Sequence, residues 1–160
     1  MGCFFAANQN LVGSVARALG MNQAEMGGMI SALYCGCVTA VLFFGEFAQH
    51  MGKRLAAAVT ASVVIAGSLI LLLARSAAAA FAGFFVFGVG SAGYESCAIS
   101  LVAETGGSAA NRSLNLTQAA FGAGGVATPV LLSRLLKNDA YRPVYILSAL
   151  CYAGFMLYWL

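Results

Sequence analysis

The stretch Leu55-Ala-Ala-Ala-Val-Thr60-Ala-Ser-Val-Val-Ile65-Ala-Gly-Ser-Leu-Ile70-Leu-Leu-Leu-Ala74 decides the fold class. It holds 20 residues without a charge, bracketed by Arg54 and Arg75. At a rise of ~1.5 Å per residue, about 20 apolar residues in a helix cross a ~30 Å hydrocarbon layer. Lipid offers no hydrogen bonds, so the backbone must satisfy itself within the segment, which makes the run helical.

Outward from this run, the other charges punctuate the chain in the same way. Between Glu25 and Glu46 lie another 20 uncharged residues, and 19 separate Arg75 from Glu95. Arg112 and Arg134 enclose 21, 18 follow Arg142, and Met1 to Ala16 is a charge-free run of 16. The spacing predicts six membrane spans: Met1–Leu19, Glu25–Phe44, Leu55–Ala74, Ala79–Ala103, Ser113–Leu136 and Pro143–Leu160. The expected class is an all-α membrane protein, with residues 1–160 as one transmembrane domain and antiparallel neighbours joined by short turns.

Composition argues the same way. Of 160 residues, 61% are hydrophobic and 8% charged, against roughly 25% charged in an ordinary soluble domain. So few charges cannot solvate a globule of this size, which argues against a soluble enzyme, a nucleic-acid binder or a disordered chain. Barrel strands are short and alternating, unlike these unbroken runs.

Local signals agree with this division. Asn22 with Glu25 three residues on forms a capping pair that would start the second span. Gly28, Ala32, Gly36 and Ala40 recur every four residues, a stripe of small side chains suited to close packing in lipid. Pro129 predicts a kink in the fifth span. The five cysteines all fall inside apolar runs and are odd in number, so they read as packing residues rather than a disulfide framework. The polar middle of the first span (Asn8, Gln9, Asn10) and its lack of a basic leader argue against a signal peptide.

Glu95 is the one charge set well inside a span. It lies eight residues before Ala103, or ~12 Å along the axis. A carboxylate at the bilayer centre costs roughly 2.5–3.5 kcal/mol on insertion scales. Nothing in folding alone requires that cost, so Glu95 is expected to face the bundle interior or a wet cavity, for proton coupling or substrate binding. The bland alternative is a structural carboxyl bonded to a neighbouring helix. Asn8, Asn10 and Gln118 carry a similar choice. Their amides can bind a hydroxyl-rich solute or link helices at about 1 kcal/mol each. No metal-ligand cluster, nucleophile–base pair or phosphate-binding loop is visible, so neither enzymatic activity nor a cofactor or metal is expected.

The segment Gly45-Glu-Phe-Ala-Gln49-His-Met-Gly52-Lys53-Arg54 resembles the loop 2–3 signature of the major facilitator superfamily, roughly G-x-x-x-D-R-x-G-R-K. Gly45, Gly52, Lys53 and Arg54 fit the pattern. Gln49 and His50 stand where Asp and Arg are usual. Gly88-Val-Gly-Ser-Ala-Gly-Tyr-Glu95, Asn111-Arg-Ser-Leu-Asn-Leu-Thr-Gln118 and Phe5-Ala-Ala-Asn-Gln-Asn10 are similar to the fucose permease-like branch of that superfamily. Leu11 falls where the sugar permease has a second acid.

The resemblance implies the N-terminal six-helix half of a twelve-helix transporter, built as two inverted three-helix repeats, in a bacterial inner membrane. It implies alternating-access transport of a small, sugar-like solute, with possible proton coupling through Glu95, a cavity-lining Gln118, and a gate at Gly45, Gln49, Gly52, Lys53 and Arg54. The partner would be a C-terminal half or a second copy. It also places loop 2–3 in the cytoplasm, although a count of basic residues favours the reverse orientation. The rival expectation is a non-transporting membrane interaction module or an incomplete transporter fragment. The abrupt chain ends suggest a piece of a longer protein.

Overall fold

The computed structural model describes residues 2–135 and 141–159. Its elements are α1 (Gly2–Ala18), α2 (Gln23–Met51), α3 (Lys53–Leu73), α4 (Ala77–Thr105), a 3-10 turn (Gly107–Ala109), α5 (Ala110–Leu135) and α6 (Arg142–Trp159). No strand occurs among the described residues. Leu136, the expected end of the fifth span, and the chain ends Met1 and Leu160 lie outside them.

The helix ends follow from short-range chemistry. Asn22 Oδ1 accepts from the Glu25 amide at 2.9 Å, and Glu25 Oε2 accepts from the Asn22 amide at 2.8 Å. This reciprocal box satisfies two of the otherwise unpaired amides that begin α2. Ser76 does the same for α4, accepting from the Ala79 amide at 3.3 Å. At the other end of α2 the expectation needs correction. Gly45–Met51 is helical rather than a loop, so the connection to α3 is Gly52 alone. Nothing between Glu46 and Met51 breaks a helix. Gly52 does, at φ +83°, a conformation that glycine adopts without steric cost. Between α4 and α5 stand Gly106 and the 3-10 turn alone.

Among the described residues, three helices are long and apolar enough to cross a membrane: α2 over Gln23–Phe44, α3 and α4. At 17 residues, α1 is shorter. Asn111, Arg112, Asn115 and Gln118 make α5 more polar than these three. Val41, Leu42 and Phe43 on α2 are 63%, 70% and 68% exposed. Such a patch is a liability in water and ordinary in hydrocarbon.

Glycine contacts fix how the helices run. Along α2 and α4 the numbering rises together, with Gly28 against Phe81, Gly36 against Phe85 and Phe44 beside Gly93, so these two helices are parallel. Along α3 and α4 it runs oppositely, with Leu71 at Gly83, Phe87 at Gly67 and Val64 at Gly90. Phe5 meets the Tyr34 ring and Met26 reaches Gly13, which makes α1 antiparallel to α2. The buried core lies where α4 meets α2 and α3, around Leu33, Val64, Leu71, Phe84 and Phe87. Helix α6 closes over it with Tyr145 and Tyr152, and Ser68 of α3 meets Ser148 of α6 at 3.5 Å.

One contact recurs at two places. A Cβ on Gly88 of α4 would overlap the Leu33 carbonyl of α2, as a Cβ on Gly2 of α1 would overlap the Phe121 carbonyl of α5. A Cβ on Gly36 of α2 would lie 3.0 Å from the Val89 amide, and one on Gly124 of α5 would lie 3.0 Å from the Cys3 amide. Exchanging α1 with α4 and α2 with α5 thus maps one backbone approach onto the other.

Candidate functional site

Glu95 sits on α4 beyond the glycines that hold that helix against α2 and α3. Gly88, Gly90 and Gly93 are buried in those two interfaces. They leave Glu95 half-buried on a different face, turned toward α1 and α5. The next helical turn, Ala98 and Ile99, continues that face. Together with Gly2 and Cys3 of α1 and Thr117, Gln118, Ala120 and Phe121 of α5, these residues line a cleft of about 330 Å³. The size suits a small solute.

Of the residues singled out in the sequence, the fold therefore brings Glu95 and Gln118 to one cleft. The Thr117 hydroxyl donates to the Ser113 carbonyl at 2.9 Å, which leaves its oxygen able to accept. The cleft thus offers a carboxylate, an amide, a hydroxyl and a thiol on an otherwise apolar wall. No group of three His, Cys, Asp or Glu suited to a metal occurs among the described residues. All five cysteines are free.

Asn8 and Asn10 are placed elsewhere. Asn8 is 1% exposed, and its Oδ1 accepts from the Tyr145 hydroxyl of α6 at 3.0 Å. Its Nδ2 is buried without a partner among the described groups. Asn10 is exposed and donates to the Ala6 carbonyl of its own helix at 2.7 Å. Neither residue lines the cleft. Gln9, between them, donates to the Tyr34 hydroxyl of α2 at 2.7 Å.

The second group of interest is the α2–α3 junction. Gln49, Gly52, Lys53 and Arg54 surround a shallow depression together with Leu101 and Glu104 of α4. Lys53 Nζ forms an ion pair with Glu104 Oε1. A smaller recess of about 120 Å³ lies between Gln49, Lys53, Ser96 and Ser100. Gly45 lies inside α2, seven residues before the junction glycine.

Glu104 and Tyr34 are contributions that reading the sequence did not single out. Glu104 stands at the end of a long helix, where an acid is unremarkable by itself. The antiparallel register of α3 and α4 brings it beside Lys53. Tyr34 is one of several aromatics on α2, and its distinction is the bond from Gln9.

Compared with known proteins, the chain matches no family model, no curated protein and no solved structure.

Proposed function

We propose that this chain is the six-helix half of a secondary transporter of the major facilitator type. It moves a small polar solute across the membrane by alternating access. The observation that carries the reading is the convergence of Glu95, Thr117 and Gln118 on one cleft between α1, α4 and α5. An acid held at that depth is costly and faces a cavity rather than a packed interface, the pattern of a transport pathway.

Two further observations support it. The paired glycine approaches relate α1 to α4 and α2 to α5. Because α1 is antiparallel to α2 and α2 is parallel to α4, the two three-helix units point in opposite directions. That is the arrangement of inverted repeats, in which sites lie at the repeat interface near the midplane. The Lys53–Glu104 pair also ties the α2–α3 turn to α4 at one end of the bundle, where a gate between two access states would sit. In this reading α1, α5 and α6 also span the membrane, and a second six-helix unit covers the open side of the cleft. The solute and the protonation of Glu95 then bias rocking of the two units.

The test is uptake into proteoliposomes under an imposed pH gradient, with L-fucose as the first probe. Gradient-driven uptake that is lost in Glu95→Gln while counterflow persists supports proton coupling through this carboxyl. Equal gradient dependence in both proteins removes Glu95 from the mechanism. Reporter fusions at Gly20, Gly52, Ser76 and Gly107 should alternate between the two sides, and a pattern that skips one removes the six-span topology.

A second reading is a membrane interaction module that transports nothing. It is favoured by Asn8 and Gln9, whose amides are engaged with tyrosines of neighbouring helices, a helix-linking use of polar groups. Absence of counterflow for any solute, with the fold intact, would decide for it.

A further inference from the structure

The helical run past Phe44 builds a surface that a loop would not. Helix α2 is apolar enough to span from Gln23 to Phe44, yet it goes on to Met51. Along this end Phe43, Phe47 and His50 follow at i, i+4 and i+7, so they share a face, with Glu46 beside them. Together with Leu42 and Phe44 they line a groove of about 430 Å³.

The groove has a firm floor. Phe44 packs on Gly93 of α4, and Phe47 meets the Phe44 ring edge-on at 5.7 Å and 78°. In a membrane, hydrocarbon covers the exposed Leu42 and Phe43. Phe47 stands beyond the apolar span, 47% exposed, between Glu46 and His50. An aromatic centre with a polar rim is the make-up of a protein interface. Among the described residues neither Glu46 nor His50 makes a hydrogen bond or ion pair.

The rim is complementary to itself. It carries one carboxylate and one imidazole, a helical turn apart. An imidazole N–H donates to a carboxylate whether or not the ring is charged. Two copies inserted alike in one membrane are related by an axis along the membrane normal, and each presents the same patch to the other. Their α2 helices then run in the same direction. Glu46 of one copy stands about 6 Å along the axis from the level of His50 of the other, a step that two side chains cross between packed helices. The same contact recurs on the far side of the axis.

We propose that two copies of this chain pair through this end of α2, with Phe43 and Phe47 of both at the centre and Glu46 of each bonded to His50 of the other. None of the described residues lining the Glu95 cleft belongs to α2. The pairing is therefore separate from the cleft and does not rest on the transport reading.

Sedimentation equilibrium in density-matched polyether micelles reads the association. The unmodified chain is expected to dimerise. Glu46→Lys and His50→Glu each place mismatched groups across the axis and should weaken dimerisation by roughly tenfold or more. Phe47→Ala should weaken it by roughly tenfold. Val126→Ala, at an exposed apolar residue of α5, should change nothing. Helical circular dichroism confirms that each variant is folded.

Mixing the two charge variants is the decisive step. The lysine introduced at position 46 of one copy then faces the glutamate introduced at position 50 of the other, while the native Glu46 and His50 meet on the second side. Capture through a tag on one variant should recover the other at the level of the unmodified pair. A variant that fails to fold could not rescue its counterpart. The proposal is overturned if the unmodified chain stays monomeric, as it would were the patch covered by lipid or by a different protein. It is overturned equally if either charge variant dimerises like the unmodified chain, or if mixing the two restores nothing.

Discussion

Lys53, the first residue of α3, is ion-paired to Glu104, the penultimate residue of α4. The pair closes the open end of the antiparallel α3–α4 hairpin. Its Lys side chain is 25% exposed and its Glu side chain 62% exposed, so solvent screens it. A pair of this kind is worth about 1 kcal/mol or less. Glu104→Gln should therefore shift thermal unfolding in detergent only slightly. Disulfide trapping between Gln49→Cys and Ser100→Cys, across the adjoining recess, should slow severalfold in the Glu104→Gln background. The charge swap Lys53→Glu with Glu104→Lys should restore it. Unchanged trapping in Glu104→Gln would show that the pair does not hold the two ends together.

Gly36 and Gly27 lie on the same helix and should respond in opposite directions. A Cβ on Gly36 would overlap the Phe85 carbonyl, a backbone group that cannot turn aside. Gly36→Val should cost about 3 kcal/mol, the upper part of the usual range for overpacking. Gly124→Val, at the equivalent approach to Cys3, should be costly for the same reason. Nothing lies within 4 Å of a Cβ on Gly27. Gly27→Ala should be neutral or stabilise by up to about 1 kcal/mol through helix propensity. Thermal unfolding of the three variants checks the signs.

Gly52 is required for its backbone and not for its space. Nothing lies within 4 Å of a Cβ there, but φ is +83°. Gly52→Ala should cost roughly 1–2 kcal/mol, the penalty of a left-handed conformation for a residue with a Cβ. The β-branched Gly52→Val should cost more than Gly52→Ala. Equal stability of the alanine variant would mean that the turn relaxes to another conformation.

Asn8 and Tyr145 form an asymmetric pair. Tyr145→Phe removes the partner that a buried amide has among the described residues and should cost roughly 1–3 kcal/mol, the penalty for an unpaired polar group. Asn8→Leu leaves the Tyr145 hydroxyl unpaired but also removes an Nδ2 that has no partner. The double variant Asn8→Leu with Tyr145→Phe should be near neutral. A double-mutant cycle in detergent measures the coupling, and additive losses would show that the hydrogen bond contributes nothing.

The chemical character of these segments was legible in the sequence. The uncharged run from Leu55 to Ala74 lies almost wholly within α3, and the Asn22–Glu25 box starts α2. Both depend on groups a few residues apart, whose geometry the helix itself dictates. The reach of α2 was not legible. Charge at Glu46 and His50 marks where lipid should end, but a helix continues past the membrane edge as long as its backbone can bond to itself. At the candidate site, the one charge set well inside a span identified Glu95. The pairing of Glu95 with Gln118 was proposed from resemblance, and spacing alone could not have placed Asn8 away from them. Asn8, Gln9 and Asn10 are consecutive, yet one faces α6, one faces α2 and one bonds back to its own helix. A rotation of 100° per residue separates neighbours in sequence.

By itself, the sequence determined that this chain is helical and that its longest runs can cross a membrane, because those properties are sums over local residues. Only the tertiary structure decided which polar groups meet. Lys53 finds Glu104 because α3 packs antiparallel on α4, with Gly67 at Phe87 and Gly90 at Val64, and Glu95 shares a wall with Gln118 because glycines at positions 36 and 88 let α2 and α4 touch while those at 2 and 124 do the same for α1 and α5. Helix register of that kind is set by contacts between residues dozens of positions apart, and in lipid, where greasy surface alone drives little association, close packing rather than composition selects it.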